Sequence, residues 1–106
     1  MKTSMLKSDV VRVNQSHKLF HTRFFLFKSQ LNSLAHTRIA FAFSRKSGNA
    51  VLRNLFKRRL REMVKKHCQA AAGYDYLCIA KRPMTSMSEA GWQAEEKKIR
   101  EWFENN

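Results

Sequence analysis

The stretch from Leu52 to Lys65 constrains the fold more than any other part of the chain. At about 100° per residue, Leu52, Leu55, Phe56, Leu60, Met63 and Val64 share one side of a helix, and Arg53, Asn54, Lys57, Arg58, Arg61 and Lys65 share the other. An apolar arc of that width has to be buried against a second layer. The opposite wall has to stay out of the core, because a buried charge without a partner is strongly unfavourable. Arg59 falls inside the apolar arc, where an arginine is expected to lie along the edge with its head in water.

The flanks define the rest. Asn49 is a good N-cap, since its side chain can accept a hydrogen bond from the first turn, and the helical pattern runs from Ala50 to about Ala72, with Gly73 as the stop. Upstream, Arg23 to Lys28 is short and aromatic and reads as a strand, with Gln30 to His36 as a loop. In Thr37 to Ser44, Ile39, Phe41 and Phe43 alternate with Arg38, Ala40, Ala42 and Ser44. Period two turns the bulky set toward a core and leaves a small, polar face that something can approach. Tyr74 to Ala80 reads as a third strand, ended by Lys81-Arg82-Pro83. A last helix starts near Ser86, where Ser86 and Glu89 have capping-box spacing, and Trp92, Ile99, Trp102 and Phe103 form its apolar stripe. Residues 1–19 are polar, with one short helix around Asp9 to Val13. The order strand, strand, long helix, strand, helix predicts one α+β domain spanning residues 1–106, a small mixed sheet packed with helices.

Charge then narrows the partner. The 106 residues carry 21 Lys and Arg against 8 Asp and Glu, a formal net charge of +13. Such a chain gains from a polyanion, because each phosphate it neutralises releases condensed counterions. An acidic membrane surface would attract it as well, but no segment has the apolar length to span a bilayer, and the N-terminus lacks the apolar stretch of a signal peptide. Within 52–66, Arg53, Lys57, Arg58, Arg59, Arg61, Lys65 and Lys66 face a single acid, Glu62. A merely solvated face mixes its signs to limit self-repulsion. Arg45 and Lys46 add charge just before the helix N-terminus, a position that favours phosphate.

Other chemistries find less support. His17, His21, His36 and His67 have no carboxylate cluster beside them, and Asp9 and Asp75 are the only aspartates, which argues against a self-contained nuclease site. His67, Cys68 and Cys78 lack the paired short spacings of a zinc motif. The two cysteines read as reduced thiols of a cytoplasmic protein, one on a helix and one on a strand. No helix-turn-helix spacing or zinc pattern points to DNA.

The run from Ser44 to Glu62, Ser-Arg-Lys-Ser-Gly-Asn-Ala-Val-Leu-Arg-Asn-Leu-Phe-Lys-Arg-Arg-Leu-Arg-Glu, resembles the signature of the bacterial ribonuclease P protein family. That signature has a basic pair, Gly-Asn-Ala-Val, an Arg-Asn-Arg element, then Lys-Arg and Arg-Glu. Gly73-Tyr74-Asp75-Tyr76 and Ala80-Lys81-Arg82-Pro83 match as well, and the likeness covers roughly residues 9 to 103. It implies a ribosomal-protein-like two-layer fold with a left-handed crossover between the parallel strands, although ~98% of such crossovers are right-handed. It implies that an RNA subunit performs the hydrolysis with Mg2+, and that the protein holds no catalytic residue, metal or cofactor of its own. The expected partners are that catalytic RNA and precursor tRNA, with no membrane and no obligate protein partner.

Carried onto this sequence, the resemblance makes Arg45, Lys46, Asn49, Arg53, Asn54, Lys57, Arg58, Arg61 and Lys65 the RNA-binding residues. It makes Phe25, Phe27, Lys28 and Tyr76 candidates for the single-stranded 5′ leader, against core packing as the ordinary role of any one of those rings. The sequence departs from the signature at Leu55, which replaces the second arginine of Arg-Asn-Arg and for which Arg59 is a possible substitute. It departs again at Val10 and Asn14, where the family tends to place aromatics. The rival reading is a ribosomal or other structural RNA-binding protein, which would share charge, size and fold.

Overall fold

The computed structural model describes residues 5–67 and 73–105. The chain forms α1 (Lys7–Asn14), β1 (Leu19–His21), β2 (Phe25–Leu31), β3 (Arg38–Ala42), α2 (Ala50–His67), β4 (Tyr74–Ala80) and α3 (Glu89–Glu104). Single 3-10 turns at Arg45–Ser47 and Met84–Ser86 precede α2 and α3. The four strands make one sheet in the order β1-β2-β4-β3. β2 is antiparallel to β1 and β4, while β3 runs parallel to β4, with α2 between them in the chain.

One sheet face carries the core. Phe25, Phe27, Ile39, Tyr76 and Cys78 project from it and meet Phe56, Leu60, Met63 and Val64 of α2 and Trp92, Ile99 and Phe103 of α3. Both helices therefore bury the apolar stripes read from the sequence, each large side chain contributing about 1.5–3 kcal/mol. Phe103 meets Phe27 edge-on at 6.2 Å and Tyr76 at 5.2 Å. Glu95 is buried on α3, where it accepts hydrogen bonds from Thr22 Oγ1 at 3.1 Å and from the Phe24 amide at 2.6 Å, which fastens the helix to the β1–β2 turn. The other face bears Lys28, Gln30, Arg38, Ala40, Ala42, Asp75 and Leu77 by register. α1 packs across β2 and β4 and buries Val13 there.

Several boundaries differ from the sequence reading, each for a tertiary reason. β2 starts at Phe25 rather than Arg23 because Thr22 to Phe25 close the β1–β2 turn, the Thr22 amide donating to Phe25 O at 2.8 Å. It continues through Gln30 and Leu31, expected as loop, because Asp75 and Tyr74 pair with them. β1, only three residues long, gives no period to read. α3 is capped by Ser88, whose hydroxyl accepts the Gly91 amide at 3.0 Å. Ser86 instead ends the 3-10 turn and donates to Pro83 O at 2.8 Å, so the Ser86–Glu89 capping box does not form. The expected end of α2 at Ala72, and Cys68 with it, lie outside the described residues. Gly73 is required by crowding, since a Cβ there would collide with Asn32 Oδ1 and the carbonyls of Leu34 and His36.

Candidate nucleic-acid interface

The first turn of α2 is built as its sequence dictates. Gly48 has φ 146°, which disfavours any side chain, and a Cβ would also strike Leu52. Asn49 Oδ1 accepts the Leu52 amide at 2.8 Å, the N-cap bond. Arg45 and Lys46 are exposed on the turn just before it.

Along the outward side, Asn54, Arg58 and Lys65 are exposed, and Arg53, Lys57 and Arg61 are half-buried. The Arg61 guanidinium lies 5.3 Å from the centroid of Phe41 on the edge strand β3, a cation–π contact that holds it against the sheet. Arg53 Nε and Arg61 Nε are buried and make no hydrogen bond among the described residues. Among those residues, ion pairs involve only Arg12, Arg38 and His67 as cations. Among the described residues, no carboxylate pairs with the wall on α2.

Arg59 does not extend this wall. Its guanidinium sits 5.5 Å from Phe56 and 5.3 Å from Trp92, against α3. It covers an apolar edge, as its place in the arc required, and it cannot stand in for the cation missing at Leu55.

The expected leader-binding aromatics are corrected. Phe25 and Phe27 are 0% exposed and Tyr76 is 5% exposed, so their rings are core and offer no stacking surface. The β2 and β4 registers put them on the face that α2 and α3 cover. Lys28 does lie on the opposite face, with its ammonium donating to Asn14 O at 2.7 Å and Asn14 Oδ1 at 2.9 Å. A cation there satisfies the last carbonyl of α1 and complements the helix dipole.

The sequence reading passed over the Asp75 cluster. Asp75 is 0% exposed, and Arg38 clamps it with Nε to Oδ1 at 2.8 Å and Nη2 to Oδ2 at 2.7 Å. Arg12 of α1 also pairs with Oδ2, and Asn32 donates to Oδ1 at 2.9 Å. Burial opposes ionisation of this carboxyl. The hydrogen bonds from Arg38 and Asn32 and the charges of Arg38 and Arg12 outweigh it, holding Asp75 below the usual carboxylate range. One acid inside the otherwise apolar Tyr74–Ala80 run was the available signal. Cys78 is a free, buried thiol, pushed well up by burial and further by the charge of Glu95, which removes thiolate reactivity. No helix among the described residues is long and apolar enough to cross a membrane.

A two-layer α+β sheet that presents an unpaired cationic helix defines a basic protein shaped to meet a polyanion. Comparison with known proteins gives the family. The family model described as Ribonuclease P matches residues 5–105, and the chain belongs to that family. It is 34% identical over 76 residues to a ribonuclease P protein component of Citrifermentans bemidjiense, covering 72% of this chain and 66% of that protein. It is 32% identical over 82 residues to one from Staphylococcus aureus, covering 76% and 71%. The solved Staphylococcus aureus RNase P protein superposes with a TM-score of 0.77 at 27% identity, covering 99% of this chain and 97% of that one.

Proposed function

We propose that this chain is the protein subunit of a ribonuclease P ribonucleoprotein, acting in the cytoplasm to assist endonucleolytic removal of the 5′ leader from precursor tRNA. The observation that carries this reading is the α2 wall, whose arginines and lysines have no carboxylate partners among the described residues while Arg12 and Arg38 are fully engaged. Arg45, Lys46, Arg53, Lys57, Arg58, Arg61 and Lys65 supply phosphate contacts to the catalytic RNA, and Asn54 offers a neutral donor and acceptor. The Asn49 carbonyl oxygen caps the helix, which leaves its amide N–H groups for RNA. In this reading hydrolysis, yielding 5′-phosphomonoester tRNA ends, belongs to the RNA subunit with its Mg2+. The leader runs over the sheet face that bears Lys28, Ala40 and Ala42, beside α1.

The test is 5′ processing of a precursor tRNA by bacterial ribonuclease P RNA at low magnesium, with and without the protein. Strong stimulation and no cleavage by the protein alone is the expected result. Tight RNA binding without stimulation would favour a ribosomal or other structural RNA-binding role. The family match weighs against that alternative, because the fold and the charge are common to both.

A further inference from the structure

A cavity of about 420 Å³ lies between the β1–β2 turn and the first half of α3. Arg23 and Phe24 line it from the turn, Met87 from the approach to the helix, and Gly91, Glu95 and Lys98 from the helix itself. The turn is fixed in place. The Lys81 amide donates to Phe24 O at 2.7 Å, the Lys81 ammonium to Thr22 O at 2.9 Å and Arg82 Nε to Arg23 O at 3.0 Å. Glu95 is 3% exposed, and both of its hydrogen bonds come from neutral donors to Oε1. Among the described residues, Oε2 accepts no hydrogen bond and no cation pairs with this carboxylate. A buried carboxylate is unfavourable unless its charge and its oxygens are met, so the cavity holds an acceptor that lacks a donor. Arg23 and Lys98 are exposed, and neither has a carboxylate partner among the described residues. Gly91 sits in the first turn of α3, although glycine is a poor helix former and only Gly48 among the described glycines needs a positive φ. A Cβ at Gly91 would stand 3.3 Å from Met87 Cγ and from Ser88 Oγ, both part of the lining. The glycine keeps this space open.

A buried acceptor, apolar walls from Phe24 and Met87, and two exposed cations select a flat ligand with N–H donors at one end and an anion at the other. We propose that this cavity binds a guanine nucleotide. Guanine carries two adjacent donors, N1–H and the N2 amino group, which complement an acceptor-only carboxylate. Both reach Oε2, the base lies against Phe24 and Met87, and the 5′-phosphate meets Arg23 and Lys98. Adenine would turn an acceptor nitrogen toward the carboxylate beside its amino group, and xanthine would turn a carbonyl toward it. The volume falls within the range of small-ligand sites, roughly 300–1,000 Å³. None of the lining residues lies on α1 or α2, and the site does not rest on the ribonuclease P reading.

The free full-length protein is titrated with guanosine 5′-monophosphate, xanthosine 5′-monophosphate and guanosine, following heat and backbone amide chemical shifts. Guanosine monophosphate is expected to move the amides of Arg23, Phe24, Gly91 and Glu95. It should bind about tenfold tighter than xanthosine monophosphate, as for one hydrogen bond to a charged group. Lys98→Gln should weaken guanosine monophosphate by about tenfold and leave guanosine unchanged. Gly91→Ala should weaken both guanine ligands without lowering the thermal midpoint, since alanine is the better helix former. Glu95→Gln keeps an acceptor for Thr22 and Phe24 and turns an amide donor toward the ligand, so the folded variant should prefer xanthosine monophosphate. If that variant does not fold, Gly91→Ala and Lys98→Gln still decide. Equal wild-type affinity for the two monophosphates, shifts confined to α1 and α2, or Gly91→Ala binding like wild type would overturn the site. If guanosine monophosphate competes with bacterial ribonuclease P RNA and Gly91→Ala removes the competition, the occupant is a guanosine of that RNA. If the two bind independently, the occupant is a free nucleotide.

Discussion

Arginine does two different jobs in this molecule, and the contrast lies in what stands opposite each guanidinium. Arg12 and Arg38 converge on the buried carboxylate of Asp75, which Asn32 also bonds, and Arg38 reaches Asp9 at 3.4 Å. Their charges are satisfied within the chain, and the result is mechanical. α1, the β2–β3 loop, β3 and β4 are drawn to one point. Arg53, Arg58 and Arg61 on α2 have no such partner among the described residues, and the Arg61 stem is held by Phe41 rather than by an acid. Charges satisfied internally build the fold, while charges held in place without a partner are available to another molecule. The sequence alone makes both groups look like the same basic composition.

The largest effect expected from this contrast comes from Asp75→Ala. Removing the shared anion leaves two guanidinium groups around an uncompensated buried position, and the loss should be about 3–5 kcal/mol, read from urea unfolding. Arg58→Ala, on the exposed wall, should change stability by less than about 0.5 kcal/mol. Equal costs for the two would erase the distinction between the regions.

Acid should reproduce part of the Asp75→Ala effect. Because the folded carboxyl titrates below its ordinary value of 3.8, its contribution is complete above that pH. It is lost as the pH falls through the lower folded value. The stability difference between the wild type and Asp75→Asn should therefore shrink as the pH falls below 3.8. A difference that stays constant over that range would show that the ionised carboxylate is not what holds the cluster.

On the wall, Arg53→Ala and Arg61→Ala should each weaken binding to the catalytic RNA and lower the slope of log affinity against log salt by about one contact. Unchanged affinity and slope would show that the wall is not the RNA face. Arg61→Ala should also lose the contact with Phe41, worth about 0.5–1 kcal/mol of stability, so Arg53→Ala is the cleaner probe.

A smaller effect is expected for the leader. Val10 and Asn14 are not aromatic, and Phe25, Phe27 and Tyr76 are sealed in the core, so affinity should depend only weakly on the first few leader nucleotides. A steep dependence on leader length would refute this. The smallest effect belongs to Arg59→Ala, which should leave the salt slope untouched, because that guanidinium lies on Phe56 and Trp92 against α3.

Much of this was legible in the chain. The period of α2 gave both its buried stripe and its wall, and alternation in β3 gave a bulky inner face and a small outer one at Ala40 and Ala42. Asn49 capped its helix as its side chain predicted. Less could be read where short segments depend on distant ones. β1 has only Leu19 to His21, and the last two residues of β2 are strand because Asp75 and Tyr74 lie alongside. Ser88 displaced Ser86 as the cap because the Met84–Ser86 turn buries Met84 first.

The site divides in the same way. Residue spacing along a helix fixes which side chains share a face, so the sequence by itself determined that Arg53, Asn54, Lys57, Arg58, Arg61 and Lys65 would share one wall of α2, and that their charge would call for a polyanion. Spacing says nothing about which charges meet across the fold. Only the tertiary structure could show that Asp75 neutralises Arg12 and Arg38 from two other elements, and that the aromatic rings of β2 and β4 face inward. Pairing across a sheet joins residues far apart in the chain, and that proximity decides which charges are satisfied.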